Sequence, residues 1–364
     1  MGVEARDSES SKEIIIAGKK EDLRIPREKG VGARTTTTLF EYVHLIHNAL
    51  PELNLSEVDT STRFLEHNFA APLMIDSMTG GVPESDKINA TLAEAAEKFG
   101  VAMAVGSQRA GLTAEELAET YSVARKNAPN AFITANIGGA QLAKGLGVDD
   151  AKKLIDMINA DALVVHLNPV QEVVQPEGEA SFKGVLGRIR ELVTNVKVPL
   201  IVKEVGAGIS REVAIKLEVE GVAAINISGA GGTSWAGVKH HRAAAKGHDD
   251  RAELGELFWD WGIPTAAALL EVRKAVKLPI ISSGGIRNGL EMAKGLALGA
   301  SMCAMASPML RQAALGKEAL FRFIQHVLLE LKTSMFLVGA SNILALKHSR
   351  YVLTGPLAEW ATSR

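Results

Sequence analysis

Cysteine is almost absent from this chain of 364 residues, since Cys303 is the only one. A single thiol excludes an intrachain disulfide and any metal cluster built from several cysteines. An excess of one charge is missing as well, because 40 basic and 42 acidic residues leave a formal net charge of -2. Such a balance provides no general attraction to nucleic acid or to an acidic membrane. We therefore expect neither among the partners.

Long hydrophobic runs are also missing. The apolar stretch in the first thirty residues is only Ile14-Ile15-Ile16, which is too short for the core of a signal peptide. No other stretch is long and uncharged enough to cross a bilayer. With 47% hydrophobic and 23% charged residues, the composition is that of an ordinary globular protein with a full core. We predict a cytoplasmic location.

Short apolar runs alternate with amphipathic helical segments from about Pro72 onward. Each run is almost continuously hydrophobic, as is typical of parallel strands covered on both faces. Eight strands that alternate with helices predict an α/β fold, a closed (β/α)8 TIM barrel over residues 71–364. Residues 1–70 are then an N-terminal extension that packs on the barrel. The eight runs lie at 73–75, 101–105, 131–135, 162–165, 200–202, 223–227, 279–281 and 302–305.

A doubly wound open sheet is the structural alternative. Its dinucleotide fingerprint belongs after the first strand, but the sequence there is Met78-Thr79-Gly80-Gly81-Val82-Pro83. This segment lacks the G-x-G-x-x-G spacing and places a proline early, so the barrel is favoured. We interpret Trp235 to Gly262 as an unusually long loop, rich in His, Arg and Trp. A loop of that length on a barrel is more often functional than incidental.

Glycine-rich segments follow the last three predicted strands, and a barrel places its active site at these carboxyl ends. Gly231-Gly232-Thr233, Gly284-Gly285 and the small residues Ala304 to Ser307 would bring backbone N–H groups side by side. The loops after the last strands, with a helix N-terminus, form the usual phosphate site of such barrels. Arg287 either screens the phosphate charge or is a solvated residue at a helix start.

Lys203 closes the fifth predicted strand, where it faces the barrel mouth. It is a candidate Schiff-base lysine of an aldolase or a fixed positive charge beside an anionic reduced flavin. A plain ion pair with Glu204 or a surface carboxylate is the weakest of the three interpretations, because strand-end side chains point into the site.

The densest polar cluster follows the fourth predicted strand and contains His166, Asn168, Gln171 and Glu172. Four such groups within seven residues favour a functional role over a joint structural one. Glu172 is a candidate ligand for Mg²⁺, which takes one or two carboxylates together with phosphate oxygens and waters. The Cys and His spacing of a zinc site is absent.

Together these segments resemble the type 2 isopentenyl diphosphate isomerases, the FMN-dependent class, in an archaeal style. The resemblance runs from about Leu45 to Trp360, and the combination of motifs is highly specific although no single one is. The motifs are Val43–Pro51, Met78–Gly81, Gly106–Arg109, His166–Pro169 followed by Gln171-Glu172, Gln175–Gly178, Val202–Glu204, Gly229–Trp235, Asp260–Ala266 and Ser283–Arg287.

The resemblance implies an isomerase that converts isopentenyl diphosphate reversibly to dimethylallyl diphosphate in isoprenoid biosynthesis. Reduced FMN would act as acid and base, Mg²⁺ would assist, and NAD(P)H would be the reductant. By similarity, FMN would lie on Met78, Thr79, Gly80, Ser107, Asn136, Lys203, Ser228 and Thr233, with its phosphate on Gly284, Gly285, Arg287, Ala304 and Met305.

The resemblance also assigns the substrate and metal residues. Gln171 and His166 are the expected catalytic residues, and Glu172 is the expected Mg²⁺ ligand. The substrate would contact Lys19, Arg109, His166, Asn168, Gln171 and Trp235.

One family motif is only partly present. The family has an N-terminal basic motif that begins Arg-Lys and ends in His; here Lys19 is kept, but Gly18 replaces the Arg and Asp22 the His. An acidic residue beside a diphosphate is electrostatically unfavourable. Compensation by Arg24 or Arg27, a weak affinity and a different substrate all remain open.

Three rival functions remain. An FMN-dependent 2-hydroxy-acid oxidoreductase would use a His base followed by Gly-Gly-Arg near strands six or seven, and Gly229–Thr233 lacks both. A lysine aldolase would use Lys203. A non-catalytic flavin- or diphosphate-binding paralogue is favoured by Gly18 and Asp22.

Assembly is the last expectation. We predict a homo-oligomer, a tetramer or an octamer, formed through the Trp-rich loop and the apolar stretch Phe321 to Leu346. That stretch would serve equally as the last barrel helices.

Overall fold

The predicted strand runs form one closed parallel barrel. The structure is a computed structural model and describes residues 2–178 and 180–362. Its strands are β1 (Val43–Leu45), β2 (Thr62–Phe64), β3 (His67–Phe69), β4 (Leu73–Ile75), β5 (Ala102–Ala104), β6 (Ile133–Gly138), β7 (Ala162–His166), β8 (Leu200–Lys203), β9 (Ala224–Asn226), β10 (Ile280–Ser282), β11 (Met302–Met305) and β12 (Tyr351–Leu353). The barrel order is β10-β11-β4-β5-β6-β7-β8-β9, so the predicted TIM barrel is confirmed.

Strand alternation divides the apolar residues between two cores. Met74 belongs to a cluster inside the barrel, whereas its neighbours Leu73 and Ile75 pack against the surrounding helices. This is the period of two expected of a strand. The hairpin of β2 and β3 contributes Phe64 and Phe69 to the interior cluster, so aromatic rings fill the end of the barrel opposite the site.

Helices surround the barrel, and further helices precede its first strand and follow its last strand in the sequence. No helix within the described ranges combines the length and the apolar character that crossing a membrane requires. The helices are α1 (Gly2–Glu28), α2 (Glu84–Phe99), α3 (Arg109–Thr113), α4 (Glu115–Asn127), α5 (Gly139–Ala143), α6 (Val148–Met157), α7 (Pro169–Val174), α8 (Val185–Asn195), α9 (Arg211–Val219), α10 (Trp235–Ala245), α11 (Asp249–Leu257), α12 (Thr265–Ala275), α13 (Gly289–Ala297), α14 (Ser307–Leu315), α15 (Lys317–Leu337), α16 (Ile343–Lys347) and α17 (Gly355–Thr362).

The segment from Trp235 to Gly262 is largely helical, so its interpretation as a loop was wrong. Ser234 caps α10 by accepting a hydrogen bond from the Gly237 N–H at 2.9 Å. Glycines allow α10 and α11 to pack closely: a Cβ on Gly237 would lie 2.6 Å from the Trp259 ring, and one on Gly255 2.7 Å from the His240 side chain. His240 and Trp259, two of the residues behind the loop interpretation, therefore belong to the packing of this helical segment.

The C-terminal apolar stretch forms α15 and α16, so its interpretation as barrel helices is confirmed. Leu320, Ile324, Val327 and Leu331 of α15 are buried on one face at helical spacing. They belong to the core between the barrel and its helices.

The N-terminal segment lies across the mouth of the barrel. Helix α1 contacts α3 and α10, which both follow carboxyl ends of barrel strands. The chain then runs beside the loop after β9, where the Ala33 N–H donates to the Gly232 carbonyl at 2.8 Å and the Ser234 N–H to the Val31 carbonyl at 2.8 Å. Farther on, β1 pairs antiparallel with β12.

Candidate active site

The barrel strands end in a ring of inward-facing polar side chains. Because side chains alternate along a strand, the residue two positions after an interior apolar residue also faces inward. His166 follows the interior residue Val164 in this way, and Lys203 follows Ile201. The same spacing brings polar groups from several strands to one place. The ring consists of Asp76, Asn136, His166, Lys203, Asn226 and Ser283.

A cavity of about 1090 Å³ opens above this ring, and we call it the larger cavity. Every residue predicted for FMN lies in its wall, and so do Lys19, His166, Gln171 and Trp235. The predicted FMN residues in this wall are Met78, Thr79, Gly80, Ser107, Asn136, Lys203, Ser228, Thr233, Gly284, Gly285, Arg287, Ala304 and Met305.

Glycines shape one end of the larger cavity. Gly284 has a φ of +96°, and a Cβ there would lie 2.1 Å from the Gly229 carbonyl oxygen. A Cβ on Gly232 would lie 2.4 Å from the Gly285 backbone nitrogen. The loops after β9 and β10 therefore pack backbone against backbone, which only glycine permits. Helix α14 begins at Ser307 in the same wall, so its positive N-terminal end faces this part of the cavity.

Lys203 is held by a buried network of polar groups. Its Nζ donates to the Glu204 carbonyl at 2.9 Å and lies 3.6 Å from Asp76 Oδ2. Asp76 accepts a hydrogen bond from Asn226 Nδ2 at 3.2 Å, and Ser283 Oγ lies 2.5 Å from Asn226 Oδ1. The carboxylate partner is therefore Asp76 rather than the side chain of Glu204.

The Glu204 carboxylate has a separate structural task. Its Oε2 accepts the backbone N–H groups of Val205, Gly206 and Ala207 at 2.5–2.6 Å. Burial outweighs these hydrogen bonds and raises the pKa of Glu204 to about 7. The side chain closes the turn after β8.

His166 is oriented by Asn136. Asn136 Nδ2 donates to the Val105 carbonyl at 3.2 Å, which leaves its Oδ1 to accept from His166 Nδ1 at 2.7 Å. Burial, followed by the charges of Lys203, Lys19 and Arg109, lowers the pKa of His166 to about 3. The imidazole is therefore neutral at neutral pH. Its proton is on Nδ1, and Nε2 is unprotonated.

A smaller cavity of about 590 Å³ shares Lys19, Asp22, Ser107, His166 and Gln171 with the larger one. The remaining predicted substrate and metal residues lie in its wall. These residues are Arg109, Asn168 and Glu172.

Glu172 is buried in this smaller cavity between two amides. Its Oε1 accepts from Asn168 Nδ2 at 2.8 Å and its Oε2 from Gln175 Nε2 at 3.0 Å. Asn168 Oδ1 is buried and has no hydrogen-bond partner among the described residues. Within the same part of the chain, no three His, Cys, Asp or Glu side chains are grouped to hold a metal ion. A cation here would therefore take the rest of its ligands from a bound molecule and water.

Lys19 places a desolvated ammonium between the two cavities. Its Nζ donates to the Ser107 carbonyl at 2.8 Å. Burial lowers the pKa of Lys19 to about 8; Asp22 opposes this shift, and the charges of Arg109 and Lys239 add to it. A buried lysine beside other cations is a site that an anion would stabilise.

Asp22 has a different partner from those expected. Arg24 and Arg27 are exposed and line neither cavity, and Arg24 pairs with Glu28 at 2.8 Å on the surface of α1. Instead, Lys239 Nζ lies 2.5 Å from Asp22 Oδ1. The Asp22 carboxylate is therefore paired with a lysine of α10.

Sequence reasoning missed Asp76, Lys239 and Arg242. The signal for Asp76 was its position two residues after the interior residue Met74. Lys239 and Arg242 follow Trp235 by four and seven residues, a spacing that would have placed all three on one helix face.

Comparison with known proteins adds the family context. Residues 164–353 match the family of FMN-dependent dehydrogenases. The isopentenyl-diphosphate delta-isomerase of Methanosarcina mazei is 49% identical over 346 residues, which cover 95% of this chain and 94% of that protein. The isomerase of the same name from Methanothermobacter thermautotrophicus is 47% identical over 327 residues, or 90% of each chain, and that from Pyrococcus furiosus is 46% identical over 340 residues, or 90% of this chain and 84% of that protein.

Solved structures with the same architecture are more distant in sequence. A protein described as a lactate oxidase from Pediococcus acidilactici superposes with a TM-score of 0.67 at 18% identity, covering 96% of this chain and 94% of that one. A mandelate oxidase variant superposes with a TM-score of 0.63 at 18% identity, covering 96% and 98%. At this identity the likeness is one of fold.

Proposed function

The chain belongs to the isopentenyl-diphosphate delta-isomerase family, and from this membership we propose that it interconverts isopentenyl diphosphate and dimethylallyl diphosphate in isoprenoid biosynthesis. The observation that carries the proposal is a set of cations around His166, of which Lys19 lines both cavities, Arg109 the smaller one and Lys203 the larger one. Lys19, Arg109 and Lys203 lie close enough to His166 to depress its pKa together with burial. An anion of high charge, such as a diphosphate, would relieve that repulsion.

FMN fits the larger cavity. The close-packed glycines Gly284 and Gly285 and the N-terminus of α14 offer backbone N–H groups to a phosphate, which is the usual phosphate site of such a barrel. Met78, Thr79, Gly80, Ser107, Asn136, Lys203, Ser228 and Thr233 would hold the rest of the cofactor, with Arg287, Ala304 and Met305 beside its phosphate. When bound, reduced FMN supplies an acid and a base for moving a double bond.

Lys203 provides a fixed positive charge beneath that site. Asp76 and the Glu204 carbonyl hold its ammonium in the floor of the larger cavity. A preorganised charge of this kind stabilises an anionic ring without reorganisation during the reaction. The same ion pair argues against an aldolase, because a Schiff-base lysine must be uncharged to attack a carbonyl.

The substrate diphosphate would lie in the smaller cavity against Lys19, Arg109, His166 and Asn168. The negative charge of the diphosphate would stabilise the imidazolium form of His166. Its Nε2 would then take up a proton and donate it in a hydrogen bond to the phosphate. Gln171 lines both cavities and would lie between the diphosphate and the flavin, beside the carbons that exchange protons. Trp235 would form an apolar wall for the hydrocarbon chain.

Glu172 would hold Mg²⁺, which would offset the charge of the diphosphate. This carboxylate is fixed by Asn168 and Gln175, and a single protein ligand suits an ion that keeps phosphate oxygens and waters. NAD(P)H as the reductant and the cytoplasmic location stay predictions. So does the division into an extension at 1–70 and a barrel at 71–364.

A homo-tetramer or homo-octamer also stays a prediction. The exposed Leu257 and Trp261, at 76% and 62% of their full accessibility, favour association through the α10–α11 region. Light scattering of the purified protein would test it.

An FMN-dependent hydroxy-acid oxidoreductase has less support. Its expected His and Arg are absent from Gly229–Thr233, a loop that here lies against the N-terminal segment. The relatives that are 46–49% identical over at least 90% of the chain carry the isomerase name.

The proposal is tested by an anaerobic assay with dithionite-reduced FMN, Mg²⁺ and isopentenyl diphosphate. We expect dimethylallyl diphosphate to accumulate to equilibrium, and no product with FMN left oxidised. Lactate or glycolate should not bleach the bound flavin. Flavin binding without any isomerisation would favour the non-catalytic paralogue and contradict the proposal.

A further inference from the structure

Helix α10 presents cations to the segment of α1 in which Gly18 and Asp22 stand in place of the Arg and His of the family motif. Trp235, Lys239 and Arg242 lie on one face of α10, and this face packs against α1. Lys239 is completely buried, with its Nζ 2.5 Å from Asp22 Oδ1 and 5.5 Å from the centroid of the Trp235 ring. A buried carboxylate–ammonium pair of this kind leaves Asp22 little net charge to repel an anion.

Arg242 occupies the space beside Gly18. A Cβ built on Gly18 would lie 2.9 Å from Arg242 Nη2 and 3.2 Å from Nη1. The guanidinium thus stands where a side chain at position 18 would begin. Arg242 is only 3% exposed, and it lines the smaller cavity together with Lys19 and Arg109.

Two carboxylates hold this guanidinium without satisfying it. Its Nε lies 2.6 Å from Glu21 Oε2, and its Nη2 contacts Glu177. These are charge contacts, because within the described residues neither Nε nor Nη2 has a hydrogen-bond partner in suitable geometry, although both atoms are buried. Buried N–H groups of an arginine normally find acceptors, and a diphosphate offers several in a geometry that matches the guanidinium fork.

We propose that Arg242 binds the substrate diphosphate and that Lys239 is a positioning residue that neutralises Asp22. Helix α10 then supplies the positive charge that Gly18 and Asp22 remove from α1. The inference deepens the proposed function and rests on it, because it assigns the diphosphate subsite of the same cavity. The competing interpretation is a structural one, in which Arg242 only ties Glu21 of α1 to Glu177.

The first test replaces the guanidinium in the holoenzyme. Arg242→Gln should raise KM for isopentenyl diphosphate and weaken binding of inorganic pyrophosphate, measured by calorimetry, by on the order of tenfold to a hundredfold, the usual loss of a hydrogen bond to a charged group. Arg242→Lys should fall between, since a lysine keeps the charge without the fork. FMN affinity should not change. Arg24→Gln, an exposed arginine of α1, is the matched control and should leave KM unchanged.

A second variant separates binding from a structural tie. Gly18→Arg alone should clash with Arg242, whereas Gly18→Arg combined with Arg242→Ala returns a guanidinium to the cavity from the other helix. We expect the double variant to recover most of the pyrophosphate affinity lost in Arg242→Ala. If Arg242 only links Glu21 to Glu177, an arginine at position 18 would not restore that link, and the affinity would not recover.

The third test addresses Lys239. Lys239→Met leaves Asp22 uncompensated and should raise KM at least tenfold, as expected when one partner of a buried pair is removed. Adding Asp22→Asn should bring KM back to within about threefold, because the repelling charge is then gone. A merely structural ion pair would show no such recovery.

The outcomes distinguish this inference from the proposed function. If the wild type isomerises its substrate but the Arg242 variants keep KM and pyrophosphate affinity while losing thermal stability, the inference is overturned and the function stands. If the wild type fails to isomerise, yet pyrophosphate binding depends on Arg242 as described, the anion subsite is supported and the function is not.

Discussion

The two cavities at the barrel mouth are built in different ways. The larger cavity is formed by consecutive strand ends, where strand alternation and glycine dictate which groups face inward. The smaller cavity is lined by α1 and α10 among other elements, and an ion pair at its edge joins residues 217 positions apart in the chain, Asp22 and Lys239. The first wall follows from local sequence, whereas the second depends on which charges two distant helices bring together. We therefore expect the wall of the larger cavity to tolerate few substitutions. The wall of the smaller cavity should tolerate exchanges of charge between its helices.

The largest expected effect is at the glycine wall of the larger cavity. Gly284→Ala puts a Cβ 2.1 Å from the Gly229 carbonyl at a positive φ, which costs on the order of 2–5 kcal/mol in strain and overpacking. The purified variant should contain no flavin and have no activity. Gly187→Ala on α8 is the control, because a Cβ there meets nothing within 4 Å. A flavin-loaded, active Gly284→Ala protein would show that the wall is less constrained than its backbone packing implies.

Lys203→Met should have the next largest effect. Removing a preorganised charge is expected to lower kcat by on the order of 10²–10³, while the flavin stays bound through the glycine wall. Adding Asp76→Asn should recover stability, because it removes the buried carboxylate left without its partner. Lys216→Met on α9 serves as the control. A change confined to KM would indicate that Lys203 contributes to substrate binding rather than to the flavin chemistry of the larger cavity.

Glu172→Gln tests the metal in the smaller cavity. The Mg²⁺ concentration for half-maximal activity should rise by roughly tenfold to a hundredfold, as is usual when a group that supports metal binding is lost. FMN content should match the wild type, and Glu191→Gln on α8 is the matched control. Loss of FMN with an unchanged Mg²⁺ requirement would remove Glu172 from its proposed role.

The smallest effect is a pH dependence of anion binding. Lys19 has a pKa lowered to about 8 in the free protein, and a bound diphosphate favours its charged form and so raises that pKa. The contribution of Lys19 to pyrophosphate affinity should therefore be constant below about pH 8 and fall above it, by at most about tenfold per pH unit. Lys19→Met should bind more weakly and lack this decline. An unchanged decline in that variant would assign it to another group.

Much of the larger cavity could be predicted from the sequence because each residue is placed by its own strand. The apolar runs located all eight barrel strands, and the polar or glycine residues after them, such as His166, Lys203 and Gly284, came to one cavity. The pairing of Lys239 with Asp22 could not be predicted in this way. It depends on the packing of α10 against α1, and no local pattern in either segment specifies it.

Composition was misleading at α10 and α11. The length of Trp235 to Gly262 and its His, Arg and Trp content favoured the interpretation as a functional loop. In the structure the glycines allow close packing between these helices and the aromatic rings. With a helical interpretation, the four- and seven-residue spacing after Trp235 would have indicated the cationic face.

The N-terminal segment that crosses the barrel mouth also sets an order of assembly during synthesis. Residues 31–33 pair with the loop at 231–234, and Thr38 packs against Gly285. At roughly 5–20 residues per second, the ribosome completes these partners about 10–50 seconds after the segment itself. A segment made early must therefore wait for partners made late. The N-terminal segment can close the mouth of the larger cavity only once strand β10 and the glycine turn that follows it have been translated.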